Sequence, residues 1–514
     1  MKLTFEAYRD RVKACWLGKN IGGTLGAPFE CVRGVYDIEY YTHDLSVGVL
    51  PNDDLDLQLV WLNAAEQYGR NVNAEILGEY WISYIVPDWS EYGAGKNNMR
   101  FGLQPPLSGW YGNHNKDSCG CFIRSEIWAC LAPGHPEIAV RYAYEDAICD
   151  HADEGVYGEL FCAAVQSAAF LESDIRKLVE IGKKYIPAEC AVAKAVDTAF
   201  TCYEKGLTWK EARKVILQTV PGSFGMLGGY RDQEPEADVP VGKLGFDAAS
   251  NIGLMMVGWL YGENSFSKSI CIAAGCCEDA DCTAGTLGAI LGIIHGTDII
   301  EEKWLQPIGD EIKTISLDLT KSPLSGFVVP TTVSELTRRV VNLMPVFLYG
   351  HYEMGTDGTF IFHETDSMSE GRFKIGALEY GSLREQLLIS PVSIRKANPL
   401  FEVCVTYGDG SPEIRADEGK KFELRFYNRL HSQQWLEMRL HLPRKWQAFP
   451  GEEMSLCLNQ FHGGHSVTRA VFEIVPAALR KGRYEICLEI RSNGRLSTMY
   501  VPVTLLVTPM RKEL

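Results

Sequence analysis

The stretch Glu278-Asp279-Ala280-Asp281-Cys282-Thr283-Ala284-Gly285-Thr286-Leu287-Gly288-Ala289-Ile290-Leu291-Gly292-Ile293-Ile294-His295 sets three carboxylates at the head of an apolar run. The run predicts a helix with an unusually small face: Ala284, Gly285, Gly288, Ala289 and Gly292. Small side chains let two backbones approach closely, yet each glycine weakens a helix by about 1 kcal/mol against alanine. Such a helix is expected to be buried, with its start held by more than its own propensity. A second acidic knot, Pro51-Asn52-Asp53-Asp54-Leu55-Asp56, opens another helical run. Taken alone it reads as a capped helix start, because Asn caps well and Asp suits the positive end of a helix. Two such knots would repel each other if folding brought them together. One or two divalent ions between them would remove that repulsion, and paired ions are a standard hydrolytic arrangement.

Around these knots the chain keeps a helical period up to about residue 350. Phe5, Tyr8, Val12, Cys15 and Trp16 recur at spacings of three and four, and Glu159–Leu171, Ala191–Tyr203 and Val333–Tyr349 repeat the pattern. Gly- and Pro-bearing loops at Gly102–Gly120 and Pro221–Gly245 punctuate it. After Gly355 the texture turns to β: short runs rich in β-branched and aromatic residues, such as Phe401–Thr406, Trp435–Leu442 and Met499–Val507, with turn pairs between them. Charge divides the chain in the same region, at net +5 from Arg395 onward and −21 before it. The reading is a multidomain protein: an all-α domain over residues 1–355, then an all-β, immunoglobulin-like sandwich over 356–514, with 356–393 as a bridging segment.

Composition narrows the function. The 514 residues carry a net charge of −16, which disfavours nucleic acid and anionic lipid as partners. The longest apolar stretches are too short to span a bilayer. The first residues have no apolar signal core, so the expected location is the cytoplasm. There the 16 cysteines read as small buried apolar residues. Cys271, Cys276, Cys277 and Cys282 match no structural zinc spacing.

A glycine-rich segment, Gly18-Lys19-Asn20-Ile21-Gly22-Gly23-Thr24-Leu25-Gly26-Ala27-Pro28-Phe29-Glu30, is neither a P-loop nor a dinucleotide fingerprint. It reads as a flexible exit from a helix, or as a mobile loop carrying Glu30 toward the acidic knots. Trp110, Tyr111 and Asn113 suit stacking and hydrogen bonding to a base or sugar, or packing within their own loop. His151 and Tyr157 read either as substrate-orienting or as structural residues.

The ordered set Gly-x-x-Leu-Gly-x-Pro-x-Glu at 22–30, Asp-Asp at 53–54, and Asp-x-Asp before Gly-Ala-x-x-Gly at 288–292 resembles the ADP-ribosylglycohydrolase family, dinitrogenase reductase-activating glycohydrolase among its members. The resemblance runs over roughly residues 8–350. It implies an all-α domain with a centre of Mg²⁺ or Mn²⁺, two ions by the family pattern, and hydrolysis of an N- or O-glycosidic bond at a ribose anomeric carbon. By position, Asp53, Asp54, Asp279 and Asp281 become metal ligands, joined by Asn52 and Cys282 where the family has Thr or Ser. Glu30, Asp53 and Asp54 become the catalytic candidates. Trp110, Tyr111, Asn113, His151 and Tyr157 are the substrate-binding candidates. Gly23 stands where an Asp is frequent, and Leu55 and Cys282 where Thr is usual. These departures favour a small glycoside or nucleoside as an alternative to an ADP-ribosylated substrate. A non-catalytic binding relative is the third reading. A homo-oligomer is left open.

Overall fold

Thr4 caps the first helix, its Oγ1 accepting from the Ala7 amide at 3.1 Å. The chain then winds without a break through Gly18, Gly22, Gly23 and Gly26, so the glycine-rich segment is helix rather than a flexible exit. The computed structural model describes residues 2–222, 236–242, 247–319, 327–362, 392–460 and 467–507. Most of the loop expected at Pro221–Gly245, and most of the bridging segment 356–393, lie outside those residues.

Sixteen helices are found among the described residues. In chain order they are α1 (Phe5–Gly26), α2 (Asp53–Tyr68), α3 (Ala74–Tyr84), α4 (Ser90–Arg100), α5 (Leu107–Trp110) and α6 (Glu126–Leu131). There follow α7 (Pro136–Ala147), α8 (Glu154–Ala169), α9 (Ile175–Lys183), α10 (Ala191–Glu204) and α11 (Trp209–Thr219). The last are α12 (Ala248–Tyr261), α13 (Phe266–Gly275), α14 (Ala280–His295), α15 (Glu302–Leu305) and α16 (Val333–Phe347).

The expected small face of α14 finds its partner in α1. A Cβ placed on Gly18 would overlap Gly288 O, one on Gly22 would overlap Ala284 O, and one on Gly26 would overlap Ala280 O. One on Gly292 would overlap Ala14 O. Each step of four along α1 thus matches a step of four back along α14, and the two antiparallel backbones touch. Both helices are buried along almost the whole contact.

The chain forms two compact units, Met1–Lys96 with Gly112–Arg372, and Asn97–Tyr111 with Phe373–Leu514. This differs from the 355/356 division in two places. Strand β3 (Thr359–Phe362) joins the helical unit. It pairs antiparallel with β1 (Lys2–Thr4) and with β2 (Tyr352–Met354), and its Phe360 packs against Phe5 and Tyr8. Residues 97–111, taken from the middle of the helical sequence, join the second unit. Their Leu103 and Leu107 are buried in the sandwich core.

Among the described residues, that second unit contains two five-stranded sheets. Its strands are β4 (Ser393–Ala397), β5 (Phe401–Tyr407), β6 (Glu413–Ile414), β7 (Lys420–Asn428) and β8 (Gln434–His441). They continue as β9 (Gln447–Phe449), β10 (Glu453–Leu458), β11 (Val467–Val475), β12 (Arg483–Ser492) and β13 (Thr498–Val507). The sheet orders are β10-β8-β12-β13-β6 and β4-β5-β7-β11-β9. Pairing is antiparallel except for β13 with the short β6. Burial alternates strictly along β8, as expected of a sheet with one face on a core. Phe422 and Phe472 stack at 4.7 Å in that core.

Candidate acidic centre

The two acidic knots meet in the helical unit. Asn52 caps α2 by accepting from the Asp54 amide at 2.7 Å, and its Nδ2 donates to Asp281 Oδ2 at 3.2 Å. One side chain thus ties the start of α2 to the start of α14. Its oxygen serves the cap and its amide nitrogen bridges the knots. A Cβ on Gly23 would come within 2.6 Å of that Asn52 nitrogen, so the absence of a side chain at 23 makes room for the bridge.

Asp279 sits at the N-cap position of α14, but its side chain does not cap the helix. The residues before it, Cys277 and Glu278, have φ of 58° and 63°, a left-handed conformation that non-glycine residues rarely adopt. They are held from outside. The Glu278 amide donates to Val32 O, the Cys31 amide donates to Glu278 O, and buried Arg33 donates to both Glu278 oxygens at 2.5 and 2.8 Å. Glu278 is therefore a brace for the turn, and Asp56 is likewise engaged elsewhere, accepting from the Ile315 and Ser316 amides and the Ser316 hydroxyl.

Two trios of ligand atoms lie within 4.8 Å of one another, Glu30 with Asp279 and Asp281, and Asp54 with Asp281 and Cys282. Asp281 belongs to both. Asp279 Oδ1 and Asp281 Oδ1 are buried without a hydrogen-bond partner, which fits the oxygens to a hard cation. Burial, then the neighbouring Asp54, pushes Asp281 up to about 7. Burial and Asp54 push Asp53 to about 6, against the bond it accepts from Tyr92 at 2.8 Å. Burial, Asp281 and Glu30 raise Asp279. Carboxyls that crowded hold protons unless cations displace them.

Several contributors stand outside the candidate residues named from the sequence. Lys19 on α1 is buried, with Nζ 3.1 Å from Asp54 Oδ2, 3.3 Å from Glu126 Oε1 and 3.1 Å from Thr286 Oγ1. Burial would lower its pKa, but Asp54 and Glu126 outweigh that and raise it. Asn251 on α12 accepts from the Asp279 amide at 3.1 Å. Glu91 on α4 is buried near His151, and burial pushes it up to about 7.

The substrate-binding candidates separate. His151 is buried with Nδ1 3.0 Å from Asp150 and Nε2 2.8 Å from Ser118 Oγ, while Arg124 clamps Asp150 at 2.6 Å. Asn113 ties its loop, donating to Asp150 O at 2.7 Å and accepting from the Asn115 amide. Tyr157 lies part-buried on α8. Trp110 and Tyr111 pack against the sandwich core instead, and the Tyr111 hydroxyl donates to Glu413 at 2.9 Å. Their partners belong to the strands rather than to the acidic cluster.

A sequence model described as ADP-ribosylglycohydrolase matches residues 4–326. The chain belongs to the ADP-ribosylglycohydrolase family. No curated protein sequence matches it. A solved structure titled "ADP-ribosylglycohydrolase-related protein complex" is similar at 16% identity and a TM-score of 0.42, over 66% of this chain and 99% of that one. Family membership supports glycosyl hydrolase activity, and this family acts on ADP-ribosylated substrates. No described helix is long and apolar enough to cross a membrane.

Proposed function

We propose that the chain is a metal-dependent glycosyl hydrolase that cleaves an N- or O-glycosidic bond at a ribosyl anomeric carbon, with ADP-ribosylated protein as its substrate class. One observation carries this reading. Two helix starts more than two hundred residues apart bring Asp54, Asp279 and Asp281 into one buried cluster that shares Asp281 between two ligand trios, with half-buried Asp53 beside Asp54. A bound divalent cation, Mg²⁺ or Mn²⁺, would supply charge to orient sugar hydroxyls and to acidify water. Glu30, Asp279 and Asp281 are the residues to hold it. The glycosidic bond breaks through an oxocarbenium-like state, which the surrounding carboxylates stabilise. Asp53, fixed by Tyr92, is the group to orient the attacking water, while Glu30, expected from the sequence as the acid/base, is given to the cation instead. The retained carboxylates argue against a non-catalytic relative.

A small glycoside or nucleoside is the second reading. The attached strand unit and the replacement of the usual threonines at Asn52, Leu55 and Cys282 favour it. The test is turnover, with Mg²⁺ or Mn²⁺, of ADP-ribosylated arginine and serine peptides against a panel of nitrophenyl glycosides and nucleosides. Asp54→Ala or Asp281→Ala is expected to abolish turnover while the helical circular-dichroism signal persists. Activity retained in both variants refutes the acidic centre.

A further inference from the structure

Resting on that metal-dependent reading, we propose that the centre holds one divalent cation, on Glu30, Asp279 and Asp281, and that the buried Lys19 ammonium takes the place of a second. The two trios are chemically unequal. Glu30, Asp279 and Asp281 offer carboxylate oxygens only, and two of those oxygens are buried without a hydrogen-bond partner. That set suits Mg²⁺ or Mn²⁺.

The trio of Asp54, Asp281 and Cys282 is different. Both oxygens of Asp54 already face a proton-bearing group: Lys19 Nζ lies 3.1 Å from Oδ2 as an ion pair, although Oδ2 accepts no hydrogen bond, and the Cys282 thiol donates to Oδ1 at 3.4 Å. The third atom of the trio is that thiol, whose hydrogen is engaged by Asp54. A protonated sulfur is a poor ligand for a hard ion. An ion bound to Asp54 would also sit close to a fixed ammonium and be repelled by it.

Lys19 is not placed there by chance of surface packing. It projects from α1, which lies against α14 by glycine contact, and it is 1% exposed. Its ammonium is divided among Asp54, Glu126 and Thr286, and Gln58 supports Glu126 at 2.9 Å. A covalently attached positive charge neutralises the first acidic knot, while the mobile cation serves the second.

The experiment titrates the metal-free full-length protein with Mn²⁺ and counts bound ions by electron paramagnetic resonance. One tightly bound ion per chain, with an uncoupled spectrum, is expected. Asp54→Asn, outside the ligand set, should weaken binding by no more than about 10–100-fold, and Asp279→Asn, which removes a ligand charge, by clearly more. Lys19→Met should admit a second ion and produce an exchange-coupled spectrum. Should Lys19→Met fail to fold, the wild-type count and the Asp54→Asn comparison still decide. Two ions in the wild type, or equal losses in Asp54→Asn and Asp279→Asn, overturn the proposal. A folded Lys19→Met that still binds one ion overturns the part given to Lys19. No bound Mn²⁺ at all removes the metal-dependent reading beneath it, an outcome distinct from the others.

Discussion

Arg33 and Glu278 form a fully buried pair whose loss would free the left-handed turn ahead of Asp279. Arg33→Leu leaves a buried carboxylate without its counter-charge, which typically costs about 3–5 kcal/mol. A matching fall in urea-unfolding free energy is expected, together with weaker Mn²⁺ binding. Glu91 gives a prediction in pH. Burial lifts it from an ordinary 4.5 to about 7, so between those values the folded state holds a proton that the unfolded state has lost. Its contribution to stability therefore falls as pH rises through that window. Glu91→Gln should remove this slope and gain on the wild type by roughly 3 kcal/mol between pH 4.5 and 7.5. A parallel pair of stability curves would count against it. Single residues were only partly legible in the sequence. Asn52 announced a cap, and the aspartate pairs announced their chemistry. Lys19 and Glu91 announced nothing, because a lone charge on a helix reads as solvated until the fold buries it. Trp110 and Tyr111 read as ligand-stacking residues because composition records that an aromatic wants a partner, not which core supplies one.

Between elements, the decisive contact is α1 against α14. The small face at 284–292 foretold a close neighbour, and the neighbour's own glycines at 18, 22 and 26 stood in plain view. In the sequence such a run suggests a flexible exit or a mobile loop because glycine lowers helix propensity, whereas here tertiary contact outweighs that cost. Gly288→Val would drive a branched side chain into Gly18 O. Overpacking of this kind costs about 1–3 kcal/mol or more. It should also pry Lys19 from Asp54, so calorimetry should show a lower melting temperature and Mn²⁺ titration a weaker site. A Gly288→Ala variant should lie between the two. Strand β3 falls within the stretch that reads as bridging, and its pairing is not legible there because its partner β1 lies at the far end of the sequence and pairing leaves no local trace.

At the scale of the molecule, the clustered carboxylates make bound cations stabilising where those carboxyls would otherwise ionise against one another. Mn²⁺ at a hundred times its dissociation constant should add about 2.7 kcal/mol to the helical unit. The accompanying rise in melting temperature should be larger at pH 7.5 than at pH 5.5, since protons compete for Asp281, which sits at about 7. Equal rises at both values would speak against the carboxylates as ligands. The split into helices and then strands was readable from periodicity, and its borders were not, because 97–111 look like any loop within a helical region. Their membership in the strand unit bears on how the polypeptide is made. Leu103 and Leu107 leave the ribosome early, while the strands that shelter them are synthesised last. Through most of translation that segment has no lasting shelter and is a natural client for chaperones. A gene shortened to end at residue 372 would leave it permanently bare, and such a product should collect in inclusion bodies.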